Sequence, residues 1–146
     1  MIRTVTCAPG TPGQEVNPDY SDTYVFTNDF AAILPDIPQT SISRETIFQA
    51  YSERGICRVI CFSPRHDLSL SRMDPAHIVK VIDTWQKEYI SIGSKPFITY
   101  VQIFENKGSV MGCSNPHPHG QIWANEHIPY IPSLETEVMF AVCRLC

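Results

Sequence analysis

Asp74 followed by Pro75 opens the segment that most restricts how this chain can fold. A short acceptor side chain at the N-cap and a proline at the first helical position form a helix start signal. Ile78, Val81, Ile82, Trp85 and Tyr89 then recur at helical spacing until Gly93. The spacing predicts a long helix with one buried face, and a buried face needs a second layer to cover it. Four apolar and β-branched runs can supply that layer: residues 23–27 (TYVFT), 55–63 (GICRVICFS), 97–104 (FITYVQIF) and 117–125. Strands grouped around one long helix predict an α+β domain with a mainly antiparallel sheet.

Over 146 residues, a hydrophobic share of 43% and a charged share of 18% are enough for one domain, residues 1–146, with its own core. The formal net charge is −4 and the basic residues are scattered, which argues against nucleic acid or an anionic membrane surface as a partner. The N-terminus carries no signal-peptide pattern and no window approaches the roughly 18 apolar residues of a membrane span, so a cytoplasmic location is expected. Six irregularly spaced cysteines in such a chain read as reduced thiols, with Cys57 and Cys61 packed in a core strand. Twelve prolines cluster at 9–18, 35–38, 116–118 and 129–132, where they mark loops. The apolar tail 138–146 (VMFAVCRLC) stops abruptly, the expectation being a chain cut short.

The fourth run holds the chemistry. His117 and His119 stand two residues apart, so on an extended strand both project from one face with Cα atoms roughly 6 to 7 Å apart, and Gln121 follows on the same face. Pro118 between them has no N–H for a ladder, so this stretch must be an edge, a bulge or a strand beginning. The preceding loop, residues 108–115, combines glycines, hydroxyls and main-chain amides suited to phosphate oxygens. A neutral imidazole is a good nucleophile toward phosphorus if an acceptor holds its other nitrogen in one tautomer. His-x-His on a strand also occurs in metal sites and structural pairs, and spacing alone leaves these alternatives open. Two strand ends present further candidates: Asn28-Asp29 after the first run, a site or a simple turn, and His66 just past Pro64. His77 and His127 read as ordinary helix or surface residues.

Residues 105–124, ENKGSVMGCSNPHPHGQIWA, resemble the active-site segment of the galactose-1-phosphate uridylyltransferase family almost residue for residue. The similarity extends through NPDYSDTYVFTNDFAA (17–32), RGICRVICFSP (54–64) and the helix carrying Trp85, covering roughly residues 7–132. The resemblance implies a histidine-triad-like half-barrel, the first of two in the family's single chain. It implies transfer of UMP from UDP-glucose to galactose 1-phosphate in the Leloir pathway of galactose metabolism, through a uridylyl-histidine intermediate. Glucose 1-phosphate and UDP-galactose are then the products. His119 matches the nucleophile. Gln121 stands where hydrolytic relatives have a third histidine, and its implied role is a hydrogen bond to the transferring phosphoryl group. Asn28 and Asp29 match uridine and ribose contacts, and Asn106, Gly112, Cys113 and Ser114 match positions lining the nucleotide phosphates.

For zinc, the resemblance implies Cys7, His66 and His117 as ligands, with Thr4 in the place of a first cysteine and affinity lowered accordingly. Glu135 matches a ligand of a second metal, expected to be iron in some members, whose companion ligands lie in the second half. The family is dimeric, and its site is completed by arginines upstream of the zinc segment and by the second half of a partner subunit. A chain without those parts is expected to have impaired activity, an open sheet edge and an exposed apolar face, and to self-associate. Two other classes stay open: a non-catalytic module binding UDP-sugar or zinc, and a small histidine-triad hydrolase releasing UMP.

Overall fold

The structure, a computed structural model, describes residues 18–44, 47–113 and 115–141. In chain order these form β1 (Tyr24–Thr27), β2 (Ser41–Arg44), β3 (Phe48–Tyr51), β4 (Gly55–Cys61), α1 (Pro75–Gly93), β5 (Tyr100–Phe104), β6 (His119–Asn125) and α2 (Tyr130–Ala141). Short 3-10 turns sit at Leu70–Arg72 and Ser109–Met111. One antiparallel sheet has the order β1-β4-β6-β5, and β2 and β3 form a separate hairpin. The α+β architecture with an antiparallel sheet and one long helix is the one expected.

Asp74 caps α1 by accepting from the Ala76 N–H at 2.8 Å, and Pro75 occupies the first turn, where no donor is needed. The buried stripe differs in detail from the expected one. Val81 and Ile92 are fully buried and Ile78 and Trp85 pack against the core, but Ile82 and Tyr89 are 50% and 54% exposed. Both lie on the flank of the stripe, beside the buried and half-buried line of Ile78, Val81, Trp85, Glu88 and Ile92.

Pairing fixes which side chains share a face, because alternate residues of a strand point to opposite sides. Ile60, Ile122 and Ala124 face α1 and join Phe62, Met73, Val81, Ile92 and Ile98 in the main core. Each large apolar side chain fully buried there contributes about 1.5 to 3 kcal/mol. On the opposite face the register aligns Tyr24, Cys61 and His119 in one row and Phe26, Val59, Gln121 and Phe104 in the next. Val59 and Cys61 form a small second cluster there with Tyr20, Tyr24 and Phe26. Cys57 and Cys61 are buried in β4, as expected.

Pro118 takes the last of its three permitted settings. The strand β6 is interior to the sheet, so Pro118 is neither at an edge nor within a ladder: the strand begins at His119. Pro118 contributes only its carbonyl, which accepts from the Phe62 N–H at 2.9 Å. Gly120, next along, faces the core so closely that a Cβ would lie 2.8 Å from Phe62 Cζ and 2.9 Å from the Phe104 carbonyl oxygen. No larger residue fits there without a shift.

Three elements depart from the expectation. The strand read over 97–104 begins only at Tyr100, since the chain first turns back on itself with the Ile98 N–H bonded to the Lys95 carbonyl. The hairpin β2–β3 was hidden because all its described residues are exposed and show no apolar alternation. Helix α2 begins inside the proline cluster at 129–132, where Pro132 is harmless because first-turn N–H groups have no helical acceptor. Ile42, Phe48 and Tyr51 of the hairpin and Tyr130 and Ile131 of α2 are more than 60% exposed. Among the described residues, β5 and β1 each pair on one side only, and no helix is long and apolar enough to cross a membrane.

Candidate active site

His119 is the first residue of β6, half-buried at the mouth of a cavity of about 440 Å³. Its Nδ1 lies 2.7 Å from the carbonyl oxygen of His117. A carbonyl only accepts, so Nδ1 carries the proton and Nε2 keeps its lone pair. This is the acceptor that a nucleophilic imidazole requires, and the chain supplies it two residues away, from main chain. Because Pro118 precedes the strand, the His117 carbonyl is outside the ladder of β6 and available to the ring.

The His117 ring is 3% exposed and points away from His119's role. Its Nε2 sits 3.1 Å from the Tyr20 hydroxyl, which itself donates to the Ser63 carbonyl at 3.1 Å. With that hydroxyl proton committed, the His117 Nε2–H donates to the Tyr20 oxygen. The Nδ1 lone pair therefore faces His66, whose Nδ1 is 3.0 Å away. Burial, followed by the neighbouring His66, holds His117 down at about 4 against an ordinary 6.5, with the Ser63 carbonyl opposing and His119 adding to the drop. It is neutral at neutral pH, the form that binds metals. Two imidazole nitrogens bound to one tetrahedral zinc at 2.0 to 2.1 Å stand about 3.3 Å apart, so this pair fits half of such a site. Among the described residues no cluster of three or more His, Cys, Asp or Glu forms. Cys7 and Thr4 lie outside the described residues. His66 itself is exposed, in the loop after β4.

The cavity is walled by the loop between β5 and β6, including Glu105, Asn106, Lys107 and Cys113, and by Leu68 and Ser69 across from it. Of the positions expected to line phosphates, Asn106 and Cys113 are brought to His119; Ser114 lies outside the described residues. Gly112 is not in the wall. Its φ of +75° marks a left-handed turn that closes the 3-10 segment, a conformation costly for other residues. The loop's main-chain amides are less available than its composition implied: those of Met111, Gly112 and Cys113 already bond to Gly108 and Ser109 carbonyls. Asn115 Oδ1 accepts from the His117 N–H at 3.0 Å, and the Cys113 thiol lies 3.0 Å from the Asn115 carbonyl, so the loop is braced against the histidine segment. Asn115-Pro116 is a turn signal that marked this brace in the sequence. Tyr20 had no such signal.

Gln121 follows His119 on the outer face, beside the cavity though not in its wall. Its Oε1 accepts from the Trp123 indole N–H at 3.1 Å. Asn28 and Asp29 are not brought to the cavity. The Asn28 N–H bonds the Cys57 carbonyl, opposite Trp123, which places Asn28 about 13 Å along the strands from His119. It borders a second cavity of about 320 Å³ with Cys57 and Phe97, while its Oδ1 accepts from the Phe30 N–H in a local turn. Asp29 is exposed. Glu135 lies exposed on α2. His77 ties α1 to β4 by donating Nε2–H to the Phe62 carbonyl at 2.6 Å, and His127 pairs with Glu53 at 2.6 Å.

The profile of the family described as galactose-1-phosphate uridyl transferase, N-terminal domain, matches residues 3–129. Galactose-1-phosphate uridylyltransferase of Haemophilus influenzae is 52% identical over 115 residues, which cover 79% of this chain and 32% of that protein. The enzyme of the same name from Rattus norvegicus is 46% identical over 121 residues, 83% of this chain and 31% of its own length. The chain thus spans about a third of the curated relatives it matches. A solved uridylyltransferase shares the fold with a TM-score of 0.77 at 23% identity, covering 92% of this chain and 42% of that one. An ADP-glucose phosphorylase from Arabidopsis thaliana with bound ADP-glucose superposes with a TM-score of 0.67 at 26% identity, covering 90% and 40%.

Proposed function

The chain belongs to the galactose-1-phosphate uridyl transferase family, and from that premise we propose that it is the nucleophile-bearing part of an enzyme that moves UMP from UDP-glucose to galactose 1-phosphate. The observation that carries this reading is the tautomer of His119. With Nδ1–H given to the His117 carbonyl, the Nε2 lone pair is free to attack the α-phosphorus of UDP-glucose. A P–N bond forms as the bond from that phosphorus to the bridging oxygen breaks, and glucose 1-phosphate leaves with the electron pair. The ring becomes cationic while Nδ1 keeps its proton, so its bond to the carbonyl strengthens as charge develops. A phosphate oxygen of galactose 1-phosphate then attacks the same phosphorus, releasing His119 and yielding UDP-galactose. A nucleoside diphosphate laid along the outer face would run from His119 toward Asn28.

In this reading Asn106, Cys113 and Ser114 flank the phosphates and Gln121 donates to the transferring group. His66 and His117, with Cys7, would hold zinc at an affinity lowered by Thr4, and the metal would serve to brace the strand start from which the His117 carbonyl reaches His119. Glu135, with ligands from elsewhere, would serve a second metal such as iron. The same reading places the protein in the cytoplasm as a homodimer.

Intact-protein mass spectrometry after incubation with UDP-glucose tests it, with His119→Ala and an ADP-glucose incubation alongside. A uridylyl mass on the wild type alone is the expected result. An adduct that persists in His119→Ala, or free UMP released without any adduct, would remove His119 transfer from consideration. An adduct only with ADP-glucose would change the nucleotide.

A further inference from the structure

Gln121 matters to the transfer only if its amide faces the phosphoryl group the right way round, and an unrestrained amide has two nearly equivalent orientations. The outer face settles this choice. Trp123 is two residues beyond Gln121, on the same face of β6, and its indole N–H lies 3.1 Å from Gln121 Oε1. Indole nitrogen donates and never accepts, so only the amide oxygen can meet it. The indole is itself held, edge-on to the Phe104 ring with centroids 6.0 Å apart and planes at 71°. Phe104 is the direct β5 neighbour of Gln121, so ring, indole and amide form one cross-strand unit.

We propose that Trp123 is a positioning residue: by holding the Gln121 amide oxygen, it leaves the amide N–H groups as what Gln121 offers to a phosphoryl group on His119. This rests on the transfer reading above. Phosphoryl oxygens are acceptors only, so an amide presented N–H first stabilises them and one presented oxygen first repels them.

The test uses the 15N-labelled chain, its Gln121→Ala and Trp123→Phe variants and the double variant. Gln121→Ala is expected to shift the Trp123 indole N–H resonance, and UDP-glucose to shift the Gln121 side-chain NH2 resonances more in the wild type than in Trp123→Phe. In timed incubations Trp123→Phe is expected to slow His119 uridylylation roughly tenfold at saturating UDP-glucose, the scale of one hydrogen bond to a charged group. The half-saturating UDP-glucose concentration should barely move. Adding Trp123→Phe to Gln121→Ala should slow it no further. An indole resonance indifferent to Gln121→Ala overturns the inference, as does equal slowing in both backgrounds. Gln121 NH2 resonances unmoved by UDP-glucose in the wild type overturn it too. If those resonances move as expected but no adduct forms on the wild type, the transfer reading fails while the orientation stands.

Discussion

On the face of the sheet that meets α1, Ile60, Ile122, Ala124 and Gly120 are sealed against Phe62 and the helix, and the contacts are mainly apolar, with the Arg58–Glu88 ion pair and the His77 bond to the Phe62 carbonyl at their margin. On the other face β6 carries His119, Gln121 and Trp123 beside Cys61, Val59 and Cys57 of β4. One strand therefore serves both purposes by alternation: even positions of β6 stabilise the sheet and odd positions present polar groups. The candidate nucleophile sits at the strand's first residue, so its polar neighbours come from loops, while its rigidity comes from the core one residue away. Reactive groups placed on a rigid strand keep their geometry at little cost in stability.

The separation of faces can be broken most sharply at His119. His119→Ala should abolish the uridylyl adduct while moving the unfolding free energy by no more than about 1 kcal/mol, the scale of one partly exposed hydrogen bond. Mass spectrometry and urea denaturation on the same samples check both halves, and a large loss of stability would mean the faces are not independent. Phe62→Ala reverses the pattern. It empties a fully buried site beneath Gly120 and should cost about 3 to 5 kcal/mol in urea unfolding, with the chemistry lost only through unfolding. The smallest effect expected is at the start of α1. Asp74→Ala removes the cap to the Ala76 N–H and should cost about 1 kcal/mol with the adduct rate unchanged, measured by the shift in denaturation midpoint. A change in adduct rate there would show that α1 transmits strain to His119.

Much of this arrangement was legible in the residues. The Asp74-Pro75 start, the alternation of β6 and the limits imposed by Pro118 follow from local stereochemistry, which acts over a few positions and needs no partner. The family was legible in residues 105–124. The hairpin β2–β3 was not, because exposed strands need no apolar period. Helix α2 was obscured by prolines that suit a first turn as well as a loop. Ile82 and Tyr89 matched the helical period, yet they flank the buried stripe and stay half exposed, because period alone does not fix how wide a face is covered.

The sequence by itself determined which residues alternate across β6, where its helix begins, which family the chain joins and that His119 is the candidate nucleophile. Only the tertiary structure decided that the His117 carbonyl holds His119's Nδ1–H, that Tyr20 turns the His117 lone pair toward His66, and that Trp123 fixes the Gln121 amide. It also set Asn28 at the far end of the strands from His119. The reason is physical. Periodicity states which side of a strand a residue occupies, whereas a tautomer, a lone-pair direction or an amide orientation depends on the one donor or acceptor that folding brings within about 3 Å.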